Sequence, residues 1–320
     1  MPFPISRRNF FLQAAAASSL LAASSKKLTH KERVQRALKG AEVDRPPYSF
    51  WHHFGLKTPE AHAKATLDFH RAYRTDIVKV MSDFPYPKPA GKWYELKVET
   101  NPFPQQVQAL KLIRDGLKGG AYFIETLFNP WNVAEKLASK EEVLRLKSEN
   151  PQALLAALDV ITESEIHHAR RAIGLGAAGI LLAVANANRG ALTPEDYSKF
   201  SAPFDRRILQ AASGARLNFL HAHLENDYLH LVKDFPAPVF NYSPRVSQIP
   251  IAALRQQVST AIAAGIDEVD YRTLDEAEIK RQWTAAAQAA GPKFILTPGC
   301  SVPDASTAQE LLRLPAALNA

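Results

Sequence analysis

Short apolar runs recur along the chain, spaced by longer helical patterns, and this alternation restricts the fold more than any other feature. The runs lie at residues 48–51, 77–81, 121–124, 179–183, 218–220, 239–241, 268–270 and 294–296. Examples are Ile77-Val78-Lys79-Val80-Met81 and Gly179-Ile180-Leu181-Leu182-Ala183. Runs that are apolar on both faces describe parallel strands covered on both sides, and parallel strands need crossover helices. Helical signals fill the intervals. Thr29-His30-Lys31-Glu32 has the form of a capping box ahead of Val34, Ala37 and Leu38, and Ile166, Ala169 and Ile173 repeat at helical spacing before Gly174. Gly265 is read as another helix-ending glycine. The expectation is an α/β fold, a single (β/α)8 TIM barrel over residues 28–320, a length that suits such a barrel. No strand leads into a Gly-rich phosphate loop, which argues against an open doubly wound sheet.

The first residues read as an address. Ser6-Arg7-Arg8-Asn9-Phe10-Phe11-Leu12 pairs two arginines with an apolar stretch that runs to Ala23 and is broken by Gln13 and two serines. It is too short and too rich in Ala and Ser for a stable membrane span. This order of parts resembles a twin-arginine export signal, assigned to residues 1–27. It implies the twin-arginine export machinery as a partner, a periplasmic or exported location, and no stable membrane span in the mature form. Leu21-Ala22-Ala23 is not a clean small-x-small site, so cleavage and a retained tether both stay open. Of the formal charge of +7, four units come from Arg7, Arg8, Lys26 and Lys27 in this acid-free segment. With no basic tail beyond it, nucleic acid is not an expected partner. The single cysteine, Cys300, excludes an intramolecular disulfide.

Chemistry-bearing residues fall at expected strand ends. His221-Ala222-His223 closes the fifth run and Cys300 follows the eighth. Residues two apart on an extended segment point the same way, and strand ends of such a barrel converge on one mouth. Two imidazoles and a thiolate make a zinc-competent set with an open fourth position. The competing reading is a hydrogen-bonded histidine pair and a small buried cysteine. His52 and His53 lie near the same mouth as ligand, acid/base or packing groups. Asn241, Tyr242 and Asp270, at the ends of the sixth and seventh runs, are candidates to face a small-molecule substrate.

Taken in order, several segments resemble the uroporphyrinogen decarboxylase superfamily, which includes zinc-dependent corrinoid methyltransferases. They are 29–34 through Asp44-Arg45-Pro46-Pro47, Tyr73-Arg74-Thr75-Asp76 with Met81-Ser82-Asp83, Gly176-Ala177-Ala178-Gly179, residues 192–204, and Pro298-Gly299-Cys300-Ser301-Val302-Pro303. The resemblance implies that Asp83 is the aspartate with which decarboxylases hold pyrrole nitrogens and stabilise a protonated ring. A turn-capping role is the alternative. It also implies departures. The arginine-rich segment that clamps substrate carboxylates is replaced by Trp51-His52-His53-Phe54-Gly55-Leu56, a family serine by Ala187, and a late Gly-His-Gly by Gly299-Cys300-Ser301. The methyltransferase branch carries a His-x-Cys pair and a late cysteine where this chain has His221, His223 and Cys300.

Two enzyme chemistries therefore stand side by side: a decarboxylase-like lyase reaction using Asp83, with His52 or His53, and zinc-dependent methyl or group transfer. The alternative from another class is an exported, non-catalytic barrel that binds a small ligand.

Overall fold

A computed structural model describes residues 27–223, 225 and 228–319. The expected export signal falls mainly on residues 1–26 and lies outside the described residues. Among those described, no helix is long and apolar enough to cross a membrane.

The strands are β1 (Ile77–Val80), β2 (Tyr122–Phe128), β3 (Gly179–Val184), β4 (Phe219–Ala222), β5 (Val239–Tyr242), β6 (Ala261–Ile266) and β7 (Phe294–Pro298). Every neighbouring pair is parallel and the order follows the sequence. The result is a curled seven-stranded sheet with helices as crossovers, and the full eight-strand barrel expected from the sequence is not what the described residues form.

Two of the eight expected strands are corrected. Residues 48–51 contribute one parallel bridge, Tyr48 to Leu296, instead of a strand. The backbone there still touches both edges of the sheet: Ser49 N donates to Leu296 O, Leu296 N to Pro47 O, and Asp76 N to Tyr48 O. Residues 268–270 are not extended, and the strand in that region is β6 instead, including Gly265, which therefore ends no helix. Alanine-rich Ala261-Ile262-Ala263-Ala264-Gly265-Ile266 lacks the β-branched density that marks strands.

Alternation along each strand separates two populations. Ile77, Ile124, Leu181, Ala183, Phe219, Val239, Ala261, Ala263 and Ile295 pack together inside the curl, with Val34 from the helix His30–Lys39. The intervening residues, such as Ile180, Leu182, Leu220, Phe240, Ile262 and Leu296, pack with buried residues of the helices. By that parity Lys79, His221, Asn241 and Thr297 belong to the inner face, the first at β1 and the others at β4, β5 and β7.

The segment between sheet edges is held by charge. Asp76 is fully buried and receives Arg33 Nη1 at 2.6 Å, Arg45 Nη1 at 2.5 Å, His30 Nδ1 at 2.8 Å and the Tyr48 N–H at 3.0 Å. Arg33, itself buried, also forks onto both oxygens of Asp44 at 2.7 Å. The capping-box helix, the Asp-Arg-Pro-Pro turn and the Thr-Asp before β1 are thus one ion network, a structural use for residues that carried much of the family resemblance.

Candidate functional site

The inner face of β4 presents His221, and the chain continues extended so that His223 follows on the same side, its N–H bonded to Val184 O. Beyond β7, Pro298-Gly299 turns Cys300 towards them. His221 Nε2 lies 3.1 Å from His223 Nδ1, which lies 3.3 Å from Cys300 Sγ. One ligand atom from each of the three sits within 4.8 Å of the others.

The tautomer of His221 is set by its neighbour. Asn241 is fully buried and its Nδ2 donates to Ala263 O at 2.9 Å, Thr297 Oγ1 at 3.0 Å and Pro298 O at 3.2 Å. Those acceptors turn the amide oxygen towards His221, whose Nδ1–H must then be the donor. The lone pair of Nε2 is left facing His223 and Cys300. A hydrogen bond from the far ring nitrogen to a fixed acceptor is how metal-ligating histidines are oriented.

Electrostatics favour ligand lone pairs. Burial, then the repulsion a protonated ring would meet from His223 and Lys79, hold His221 far below the ordinary imidazole range. Burial and the nearby Lys79, Lys136 and His53 hold His223 at about 4. Both rings are neutral at pH 7. Burial pushes the Cys300 thiol up, against the pull of Ser301 and Lys79, so without a counter-cation it keeps its proton.

Asp83 lies in a second cluster. His53 Nδ1 is 3.5 Å from one carboxylate oxygen and His62 Nδ1 is 3.4 Å from the other. Burial raises the Asp83 carboxyl, but the two imidazoles outweigh it and hold it well below the usual carboxylate range. Asp83 is therefore an anion between two rings, one buried and one at the surface.

The uroporphyrinogen decarboxylase (URO-D) family matches residues 89–319, well over half of the sequence. The chain belongs to this family. A methyltransferase from Methanosarcina mazei has a similar fold, with a TM-score of 0.77 at 18% identity over 91% of this chain and 98% of the other. A B12-independent methionine synthase from Shewanella sp. W3-18-1 aligns with a TM-score of 0.62 at 11% identity, over 86% of this chain and 92% of that one. The putative vitamin-B12 independent methionine synthase of Listeria monocytogenes aligns at 0.54 and 9% identity, over 86% and 96%. Among curated proteins none matches the chain.

Within this URO-D chain the structure draws together His221, His223 and Cys300, with Asn241 behind them, and separately Asp83 with His53. It does not bring in the other candidates. His52 Nδ1 contacts the His53 carbonyl and its ring packs edge-on against Phe54 and at a tilt against Phe69. Tyr242, one residue past Asn241, falls on the opposite face, fully buried, with its hydroxyl on Ile249 O. Asp270 is exposed and pairs with Arg245 at 3.5 Å. Asn241 was expected to meet substrate, and its hydrogen bonds go to His221 and the sheet instead.

Two residues escaped the sequence reading. His62 is fully buried beside Asp83, and Lys79 is a lysine on the inner face of a parallel strand, its amine 2.9 Å from Met81 Sδ and over the Trp51 ring. A lone charge in the run Ile77-Val78-Lys79-Val80 was the available signal for the second.

Gly299 is the hinge of the arrangement. A Cβ there would meet the Ser243 Cα at 2.3 Å, and its N–H bonds Glu268 Oε2 at 3.0 Å. Backbone cannot yield as a flexible side-chain tip can. Gly299→Ala is expected to lower unfolding free energy by about 1–3 kcal/mol, as overpacking does, measured by urea denaturation.

Proposed function

We propose that this URO-D superfamily chain is an exported enzyme that performs zinc-assisted methyl or other group transfer onto a small-molecule nucleophile. One observation carries the reading: the convergence of His221 Nε2, His223 Nδ1 and Cys300 Sγ. Tetrahedral zinc with ordinary bond lengths separates two nitrogen ligands by about 3.3 Å, and nitrogen from sulfur by about 3.6 Å. The 3.1 and 3.3 Å separations are within a few tenths of those values, and the third donor pair, His221 with Cys300, lies within 4.8 Å and would have to draw in around an ion. Neutral imidazoles, a tautomer fixed by Asn241, and three donors leaving a fourth position open all fit that ion. The folds shared with a methyltransferase and two methionine synthases support the transfer branch. Assigning residues 1–27 to twin-arginine export and 28–320 to the catalytic domain is part of the same proposal.

Bound zinc would supply Lewis acidity that makes a coordinated thiol nucleophilic near neutral pH. The chain's own residues do the rest. Asn241 keeps the His221 ring from rotating, and the Lys79 charge lies close enough to act on His221, His223 and Cys300, favouring an anionic sulfur nearby. Asp83, anionic between His53 and His62, can hold a cationic or N–H-bearing part of a substrate.

A simple thiol tests the reading. With zinc-loaded protein at pH 7.5, binding of 2-mercaptoethanol is expected to release about one proton per thiol, because free thiols are protonated there. Calorimetry in buffers of different ionisation enthalpy counts that proton. Thiol binding without proton release would contradict the proposal. The decarboxylase-like reading is kept by one observation, the ionised Asp83 beside two imidazoles. Asp83→Asn separates the two: thiol-linked proton release survives it if transfer is correct, while turnover dependent on Asp83 would not.

A further inference from the structure

A recess of about 240 Å³ opens beside Asp83, between the segment after β1, the end of β2, and the helices Pro130–Leu137 and Pro151–Gly174. Its walls include the apolar side chains of Phe84, Phe103, Phe128 and Leu137. Three buried polar atoms on its lining have no hydrogen-bond partner: Asp83 Oδ2, Tyr86 Oη and Glu165 Oε2, the last two on residues 8% and 1% exposed. Leaving such atoms unpaired in the interior is costly, so they mark where a ligand or water belongs. Lys136 also lines the recess, its amine over the Phe128 ring.

The protonation states decide what the recess accepts. Burial and the charge of Glu125 push Glu165 up to about 8, against Lys136, so it carries a proton at pH 7 and donates. Burial raises Tyr86 to about 12, leaving its phenol a donor as well. Burial lowers Lys136 to about 8, with Glu165 and Asp83 opposing, so it is still mostly cationic at neutral pH. The lining also carries one ionised acceptor, Asp83, whose Oδ1 lies 3.5 Å from His53 Nδ1 and whose Oδ2, 3.4 Å from His62 Nδ1, makes no hydrogen bond. The recess therefore offers three donors and apolar walls, with the Asp83 carboxylate at one side, so an anionic ligand has to seat its charge on Lys136 and away from Asp83.

We propose that this recess, which adjoins Asp83 and extends the substrate side of the candidate site, takes the carboxylate of a small molecule with an apolar body, held by Lys136, Glu165 and Tyr86. Its volume falls below the roughly 300–1,000 Å³ of pockets for drug-sized ligands, which suits a small acid. The site goes beyond the metal-centre reading and stands without it.

Calorimetry on the full-length, metal-free protein tests this with 3-phenylpropionate and its neutral isostere 3-phenylpropionamide. At pH 7 the acid is expected to bind about tenfold more tightly than the amide, the margin of a charge-assisted pair. Lys136→Met should abolish that preference, and Glu165→Gln, which keeps an N–H donor, should retain it. As pH rises through about 8, Lys136 loses its charge and Glu165 gains one, so affinity for the acid should fall. The other charged and titratable groups facing this pair are Asp83, Lys88 and Tyr86 after β1, Glu125 on β2, and His168 and His223. Equal binding of acid and amide, a preference that survives Lys136→Met, or no binding of either at millimolar concentration would overturn the proposal. Because no metal is added, its outcome is separate from that of zinc loading.

Discussion

Asp76→Asn is expected to lower the free energy of unfolding by about 3–5 kcal/mol, the usual cost of breaking a buried ion pair from one side. The reason is the company Asp76 keeps. Arg33 is almost wholly buried and would retain only Asp44 as an ion partner, beside its bond to Leu28 O, while Arg45, His30 and the Tyr48 N–H would face an amide with half the acceptors. For a domain of this size the change corresponds to a melting temperature lower by about 5–8 °C. Scanning calorimetry reads it directly, with the exposed Glu278–Arg281 pair as the control whose loss should hardly move the transition.

The same network fixes the acid limit of stability. Burial works to raise the Asp76 carboxyl, but His30, Arg45 and Arg33 together hold it below its ordinary value. The Arg33 hydrogen bond holds Asp44 at about 2, against a smaller opposing effect of burial. Both folded values lie below those of the unfolded chain, so the stabilisation is present above about pH 4. It is lost as pH falls through the folded values. Asp76→Asn should therefore flatten stability against pH below about 4.

Asn241→Leu is the second large effect, with an expected loss of about 10- to 100-fold in zinc affinity, the range for outer-shell partners of ligating histidines. Leucine has a similar volume but removes the acceptor that fixes His221 and the donor shared by Ala263 O, Thr297 Oγ1 and Pro298 O. His221 could then adopt either tautomer, and one of them places a hydrogen where a ligand lone pair is needed. Competition with a chromophoric chelator measures the change. An unaltered affinity would mean that Asn241 only packs.

The pattern of Gly179-Ile180-Leu181-Leu182-Ala183 or Val239-Phe240-Asn241 was legible because parallel strands buried on both faces must be continuously apolar. Ala261–Ile266 was missed because its alanines fit a helix as well, and only their contact with β5 and β7 makes them a strand. Tyr48 gave the opposite error: an aromatic, extended run whose ladder is a single bridge, held by a buried aspartate far along the chain. In the site, the two-residue period predicted His221 and His223 on one side. The same period, applied to Asn241 and Tyr242, would have assigned the tyrosine to the opposite face. The partners of Asp83 were out of reach, since His62 comes from a helix whose packing no local pattern encodes.

Zinc content per chain, measured by mass spectrometry after equilibrium dialysis, decides whether His221, His223 and Cys300 hold an ion. One zinc per wild-type chain is expected, and almost none in His221→Ala, His223→Ala or Cys300→Ala, each with an unchanged near-ultraviolet circular dichroism spectrum. A wild-type chain that holds no zinc, or folded variants that hold as much as the wild type, would contradict that expectation.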